Sequence, residues 1–138
     1  MKQMRILVVE DEPYNVRGTI ALLENTGLGV DIASTVSDAA DKLRQRPYAL
    51  ILVDWTLPIV PGGASDAEGG GKLIKLIRAG TAGEANANIN YFVITKQTDQ
   101  FSTSQAVPKG QLGVFSKLDA LSIIGGVLGA ISKPGTDI

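Results

Sequence analysis

"LILVDWTLP", residues 50–58, decides the fold. Four consecutive apolar residues, Leu50, Ile51, Leu52 and Val53, lead straight into Asp54. An unbroken apolar run of this kind marks a strand covered on both faces. A carboxylate at the end of such a strand is costly to bury unless something there uses its charge. The stretch therefore asks two questions, what covers the strand and what needs Asp54.

The flanking sequence answers the first. "MRILVV" (4–9) predicts a strand, and "EPYNVRGTIALLENTG" (12–27) a helix with Pro13 in its first turn, Val16, Ile20 and Leu23 inward, and Gly27 at its end. "GVDIA" (29–33) is a second strand, and Ser37 is expected to cap the helix "SDAADKLRQR", with Ala40 and Leu43 inward. "YALILVD" (48–54) is the third strand and "GGGKLIKLIRAG" (69–80) a helix with Leu73, Leu76 and Ile77 inward. "NYFVIT" (90–95), a weak helix over "QTDQFSTSQAVP" (97–108), "GVFSK" (113–117) and the helix "LDALSIIGGVLGAIS" (118–132) complete the chain. The last helix is read with Leu121, Ile124, Leu128 and Ile131 toward the core. Its other face, with Ile123 and Val127, is then a candidate homodimer patch. "PIVPGGASDAEGGG" (58–71) reads as a long flexible loop, either a tolerated insertion or a lid or partner-selecting element. Strand and helix alternate five times, so the expected class is α/β: a doubly wound five-stranded parallel sheet with helices on both faces, in one domain spanning 1–138.

Composition narrows the chemistry. The chain is 44% hydrophobic with a net charge of −1, so no global basic field draws it to nucleic acid or to an anionic membrane. No signal pattern or membrane-length apolar run is present, and a soluble cytoplasmic protein is expected. With no Cys and no His, thiolate chemistry, His–Asp triads and nitrogen or sulfur metal sites are excluded. Carboxylates, Lys and hydroxyls remain, and an all-oxygen ligand set suits Mg²⁺.

A parallel sheet gathers the carboxyl ends of its strands at one edge, where ligands bind. Strand one ends in Glu10 and Asp11, strand three in Asp54, strand four in Thr95, and strand five in Ser116 and Lys117. Three carboxylates in one crevice repel one another. Lys117 offsets one charge and a divalent cation would offset two. A cation that keeps some waters can admit a phosphoryl group, and Asp54 becomes a plausible nucleophile toward it.

"ILVVEDE", "LILVDWTLP", "VITK" and "GVFSK", in this order and spacing, resemble the successive motifs of the receiver domain of two-component response regulators. The resemblance implies a flavodoxin-like receiver fold. It also implies phosphotransfer from a phosphohistidine, on a histidine kinase or histidine phosphotransfer protein, to Asp54. Asp11 would bind Mg²⁺ directly and Glu10 through water, with Asp54 and the Thr56 carbonyl completing the protein ligands. Thr95 and Lys117 would contact the phosphoryl oxygens, Thr95 also as the switch. Only self-phosphorylation and autodephosphorylation are implied, not classical enzyme turnover.

Three positions depart from the family pattern. Leu118 replaces the proline after the lysine, so a cis peptide is not expected. Val114 stands where the switch aromatic lies, and Phe115 beside it should face the other way. Lys96 follows the switch Thr in place of a small residue, and could shield the phosphoryl group or pair with Glu12, Asp66 or Glu68. These departures motivate the alternative of a pseudo-receiver that binds partners without phosphorylation. Trp55 is expected as a partly exposed reporter near the site. "GGGK" (69–72) is not a P-loop, because Asp66 and Leu73 occupy positions such a loop needs as Gly and Ser or Thr.

Overall fold

The computed structural model describes residues 3–96 and 108–132. Among them, five parallel strands form one sheet: β1 (Arg5–Val9), β2 (Gly29–Ala33), β3 (Leu50–Asp54), β6 (Tyr91–Thr95) and β7 (Gln111–Ser116). Their spatial order is β2-β1-β3-β6-β7, and the order reverses between β1 and β3. Helices α1 (Arg17–Asn25) and α4 (Ala120–Ile131) cover one face, and α2 (Val36–Gln45) and α3 (Gly69–Arg78) the other. This is the doubly wound α/β fold expected from the alternation. No helix among the described residues is long and apolar enough to cross a membrane.

The continuous apolar runs split by parity, as a two-residue side-chain period requires. Leu7, Val9, Ile51 and Val53 pack under α2 and α3, whereas Ile6, Val8, Leu50 and Leu52 pack under α1 and α4. The C-terminal end of α2 is closed by the buried Asn86, whose side chain donates to the carbonyls of Leu43 and Arg46 and accepts from the Tyr48 N–H. One side chain thus satisfies three backbone groups that would otherwise be orphaned.

Several local expectations are corrected. The predicted first helix begins as a 3₁₀ turn over Pro13–Val16 before α1. Thr35, not Ser37, caps α2, accepting from the Asp38 N–H at 3.0 Å. The Gly-rich stretch is not one loop. Leu57–Pro58 (β4) pairs antiparallel with Ser65–Asp66 (β5), and Gly69 to Gly71 already belong to α3. The predicted weak helix at 97–108 lies, up to Pro108, outside the described residues.

Helix α4 centres its buried face on Ile123 and Val127; of the residues expected inward, Ile124, Leu128 and Ile131 pack half-buried at its edge and Leu121 points out. Ile123 and Val127 are fully buried and Leu121 is 79% exposed, so the proposed dimer patch is core. Both stripes of this helix are apolar, and period alone does not choose between them. Gly126 chooses: a Cβ there would lie 2.7 Å from Phe115 Cζ, so only glycine lets that face close over the ring. Phe115 packs on Phe92 with centroids 5.1 Å apart, on the α1/α4 side, while Val114 lies on the α2/α3 side.

The three glycines of α4 should therefore respond in opposite senses. Gly125 and Gly129 meet nothing within 4 Å, so alanine at either should stabilise the protein by about 0.5–1 kcal/mol through helix propensity. Gly126→Ala should destabilise it by about 1–3 kcal/mol through overpacking. Urea unfolding midpoints check both signs. A second prediction concerns the outer edge of the sheet, where Arg5 Nη2 lies 2.5 Å from Asp31 Oδ1 and the Tyr48 hydroxyl donates to Oδ2 at 2.6 Å. The Arg5 hydrogen bond, with that of Tyr48, holds the Asp31 carboxyl below its usual 3.8. A depressed folded-state value contributes stability at neutral pH that is lost as pH falls through it. Asp31→Asn should cost about 1–2 kcal/mol at neutral pH and progressively less in acid, which unfolding at several pH values measures.

Candidate functional site

Strand register builds the site. Val9 pairs with Val53, so the next residues, Glu10 and Asp54, emerge side by side. Thr95 pairs with Ser116, and the Lys117 N–H donates to the Thr95 carbonyl at 2.9 Å. The ladder thus runs one residue past β7 and delivers Lys117 to the same edge. The Lys117–Leu118 peptide is trans, as the missing proline predicts.

Lys117 Nζ lies 2.7 Å from Asp54 Oδ2 and 2.8 Å from Glu10 Oε2, with all three side chains under 9% exposed. The Asp54 contact is a hydrogen bond. The Glu10 contact is an ion pair without hydrogen-bond geometry, so this buried oxygen keeps unspent acceptor capacity. The Thr56 N–H donates to Asp54 Oδ1 at 3.1 Å, and the Glu12 N–H to Glu10 Oε1 at 3.1 Å. Asp11, half-buried, opens onto a cleft lined by Thr35, Ser37, Asp38 and Pro61.

The charges do not balance. Burial, reinforced by the neighbouring Asp54, outweighs the pull of the Lys117 ammonium and pushes the Glu10 carboxyl up to about 7. Burial likewise raises Asp54 against the pull of Lys117. For Lys117, burial works against the charge, but the Asp54 hydrogen bond and the attraction of Asp54 and Glu10 prevail and hold the ammonium above its ordinary value. Three carboxylates face one ammonium. One oxygen from each of Glu10, Asp11 and Asp54 falls within 4.8 Å of the others, a spacing that fits a shared cation. An all-oxygen set with excess negative charge and one under-used buried oxygen suits a hard divalent ion such as Mg²⁺.

The floor of the site is fixed by residues that sequence reasoning passed over. The Gly70 N–H donates to the Trp55 carbonyl at 2.8 Å, and a Cβ at Gly70 would sit 2.7 Å from the Asp54 carbonyl oxygen. At Gly71 a Cβ would lie 2.8 Å from the Trp55 ring, which stacks on Tyr91 at 6.3 Å. The glycine triplet lets α3 begin directly against the Asp54–Trp55 backbone. Three adjacent glycines opening an apolar-periodic helix were the available signal. The half-buried Trp55 donates its indole N–H to Glu68 at 3.1 Å, and Asp66 holds Lys72 at 2.5 Å. Both loop acids are therefore engaged, and Lys96 pairs with Glu12 instead, at 4.0 Å. Thr95 ends β6 half-buried, and Thr56 is exposed at the rim. Phe115 faces the α1/α4 core.

Comparison with known proteins agrees with this fold. Residues 6–122 match the family model described as the response regulator receiver domain. A probable histidine kinase 1 of Oryza sativa subsp. indica is 34% identical over 58 residues, 42% of this chain. That match spans 6% of the relative's length. The receiver domain of a sensor histidine kinase from Pseudomonas aeruginosa, whose structure has magnesium coordinated in the active-site cleft, superposes with a TM-score of 0.75 at 21% identity, covering 96% of this chain and 100% of that one. A sensor protein from a Polaromonas species gives 0.73 at 25% identity, over 94% of this chain and 97% of that one.

If the acidic cluster takes a divalent ion, Mg²⁺ should raise the unfolding temperature in a concentration-dependent way, by the equivalent of about 2.7 kcal/mol at a hundredfold excess over Kd. Asp11→Asn should abolish most of the shift. An unchanged thermal midpoint of the native protein across a Mg²⁺ titration would contradict the assignment.

Proposed function

This chain belongs to the response regulator receiver family, whose members take a phosphoryl group onto a strand-end aspartate, and on that premise we propose that Asp54 is the phosphoacceptor. The observation that carries this reading is the buried Lys117 ammonium held at 2.7 Å from Asp54 and 2.8 Å from Glu10. Asp54 attacks the phosphorus of a phosphohistidine, the N–P bond breaks, and its electron pair returns to the imidazole of the donor. Such transfer depends on positioning and on stabilising charge over the moving oxygens more than on covalent assistance. The Thr56 N–H and Lys117 each hold one Asp54 oxygen, so the carboxylate is oriented before the donor arrives. Lys117 stays charged and remains beside the new phosphoryl group. The Thr95 hydroxyl, at the end of the neighbouring strand, is the second group assigned to the phosphoryl oxygens. Glu10, Asp11, Asp54 and the Thr56 carbonyl would hold Mg²⁺, which supplies electrostatic neutralisation of the phosphoryl charge.

These 138 residues hold no histidine, so the donor imidazole lies outside them. A histidine kinase or histidine phosphotransfer protein fits, and the local match to a probable histidine kinase supports that class. The chain then works as a switch that changes its protein contacts when loaded.

Incubation with a small acyl-phosphate donor and Mg²⁺ should add one phosphoryl mass to the intact protein. Asp54→Asn should remove the gain. Lys117→Met should slow incorporation by about a hundredfold or more, comparable to the loss of one preorganised charge-stabilising donor. A wild-type protein that gains no mass under these conditions would favour the pseudo-receiver alternative.

A further inference from the structure

We propose that Lys96 is an exchangeable strap over the acceptor, held by Glu12 in the resting protein and transferred to the phosphoryl group after loading, where it slows hydrolysis. The inference rests on Asp54 being the phosphoacceptor. Sheet order supplies the geometry. Glu12 follows β1 and Lys96 follows β6, and β3, which ends in Asp54, lies between those two strands. An ion pair joining Glu12 to Lys96 therefore crosses above the end of β3.

The pair is placed firmly at one end and loosely at the other. Glu12 is anchored by its own N–H to Glu10 Oε1 at 3.1 Å, and its second carboxylate oxygen accepts from the Tyr14 hydroxyl. Lys96 Nζ stands 4.0 Å from Glu12 Oε1, with the side chains 63% and 44% exposed. An exposed pair at that separation contributes little to stability and is readily exchanged. A phosphoryl group brings about 1.5–2 negative charges to the floor below, in place of one on the carboxylate. Lys117 is already shared between two carboxylates, so the added charge favours a second ammonium. Lys96 lies two residues past Ile94, the register partner of Asp54 on the adjacent strand.

The consequence follows from the hydrolysis geometry. A water oxygen attacks phosphorus opposite the Asp54 ester oxygen. The bond from phosphorus to that oxygen breaks, its electron pair returns to the Asp54 carboxylate, and inorganic phosphate leaves as the water gives its proton to solvent. The attacking water must come from the open side of the cleft. An ammonium drawn onto the phosphoryl oxygens from that side occupies the approach.

The test uses the whole chain, loaded with a small acyl-phosphate donor and Mg²⁺, freed of donor, and followed by intact mass. Lys96→Ala should shorten the acyl-phosphate lifetime about three- to tenfold, a modest barrier change. Lys96→Arg, which keeps the cation, should restore most of it. Glu12→Gln and Tyr14→Phe loosen the resting grip on Lys96, so the lifetime should lengthen or hold, and combining either with Lys96→Ala should give the short lifetime again. Loading of the wild type with equal decay in Lys96→Ala overturns the strap while leaving Asp54 as acceptor. Shortening in Glu12→Gln as large as in Lys96→Ala overturns the exchange. A wild type that takes up no phosphoryl mass overturns the acceptor assignment, and the strap falls with it.

Discussion

One buried ammonium lies between two buried carboxylates, and the molecule is arranged around that shortage. Lys117 touches Asp54 and Glu10 from positions under 9% exposed. Taking charges out of water costs several kcal/mol each, and attraction repays it only when the geometry is tight. Here it is tight on one side only. Asp54 has its hydrogen bond, while Glu10 keeps an oxygen without one and a carboxyl pushed up to about 7. Such a cluster does not earn its place by stabilising the fold. It makes sense as a site whose deficit is met from outside, by a cation and by a group that exploits the cation. The three strand pairings that hold it, β1 to β3, β3 to β6 and β6 to β7, must keep their register, because a one-residue slip would turn each of these side chains to the other face.

That dependence on register explains why so much was legible in the sequence. Strands buried on both faces announce themselves as continuous apolar runs, and their ends are where a run meets a charge. Glu10, Asp54 and Lys117 could be placed at one edge because each directly follows such a run. What failed were choices that apolar pattern cannot make. Helix α4 offered two apolar stripes, and the deciding contact was the absence of a Cβ at Gly126 beneath the Phe115 ring. The cap of α2 fell on Thr35, two residues before the serine expected, because the helix starts with the buried Val36. Both are tertiary decisions, made by what the element packs against.

The glycine-rich segment after Asp54 shows the same limit from the other side. Composition reads Gly and Pro as freedom, yet Gly69, Gly70 and Gly71 are fixed by proximity. Each would place a Cβ within 2.8 Å of Leu57, the Asp54–Trp55 backbone or the Trp55 ring. Conformational cost is accepted there so that α3 can start against the strand that ends in Asp54. The intervening residues are also tied, through the β4–β5 bridge and the pairs of Asp66 with Lys72 and Glu68 with Trp55. Acids that could have competed for Lys96 are occupied, which leaves Glu12 as its counter-charge.

The route by which loading of the site is felt elsewhere is constrained by the same packing. Phe115 is held between Phe92 and the bare backbone of Gly126, and its face of β7 is the core under α4. A ring gripped on both sides is poorly suited to swing with the state of the cleft, and Val114, on the opposite face, is too small to report by rotation. What does connect the cleft to the outer strand is backbone. The Lys117 N–H is bonded to the Thr95 carbonyl, and the Ser116 carbonyl and hydroxyl accept from Asp119 and Leu118 at the start of α4. Any pull on Thr95 or Lys117 from a group on Asp54 therefore acts first on the β7–α4 junction. Leu118 and Leu121 stand 85% and 79% exposed there, apolar side chains whose presentation depends on that junction rather than on a buried rotor.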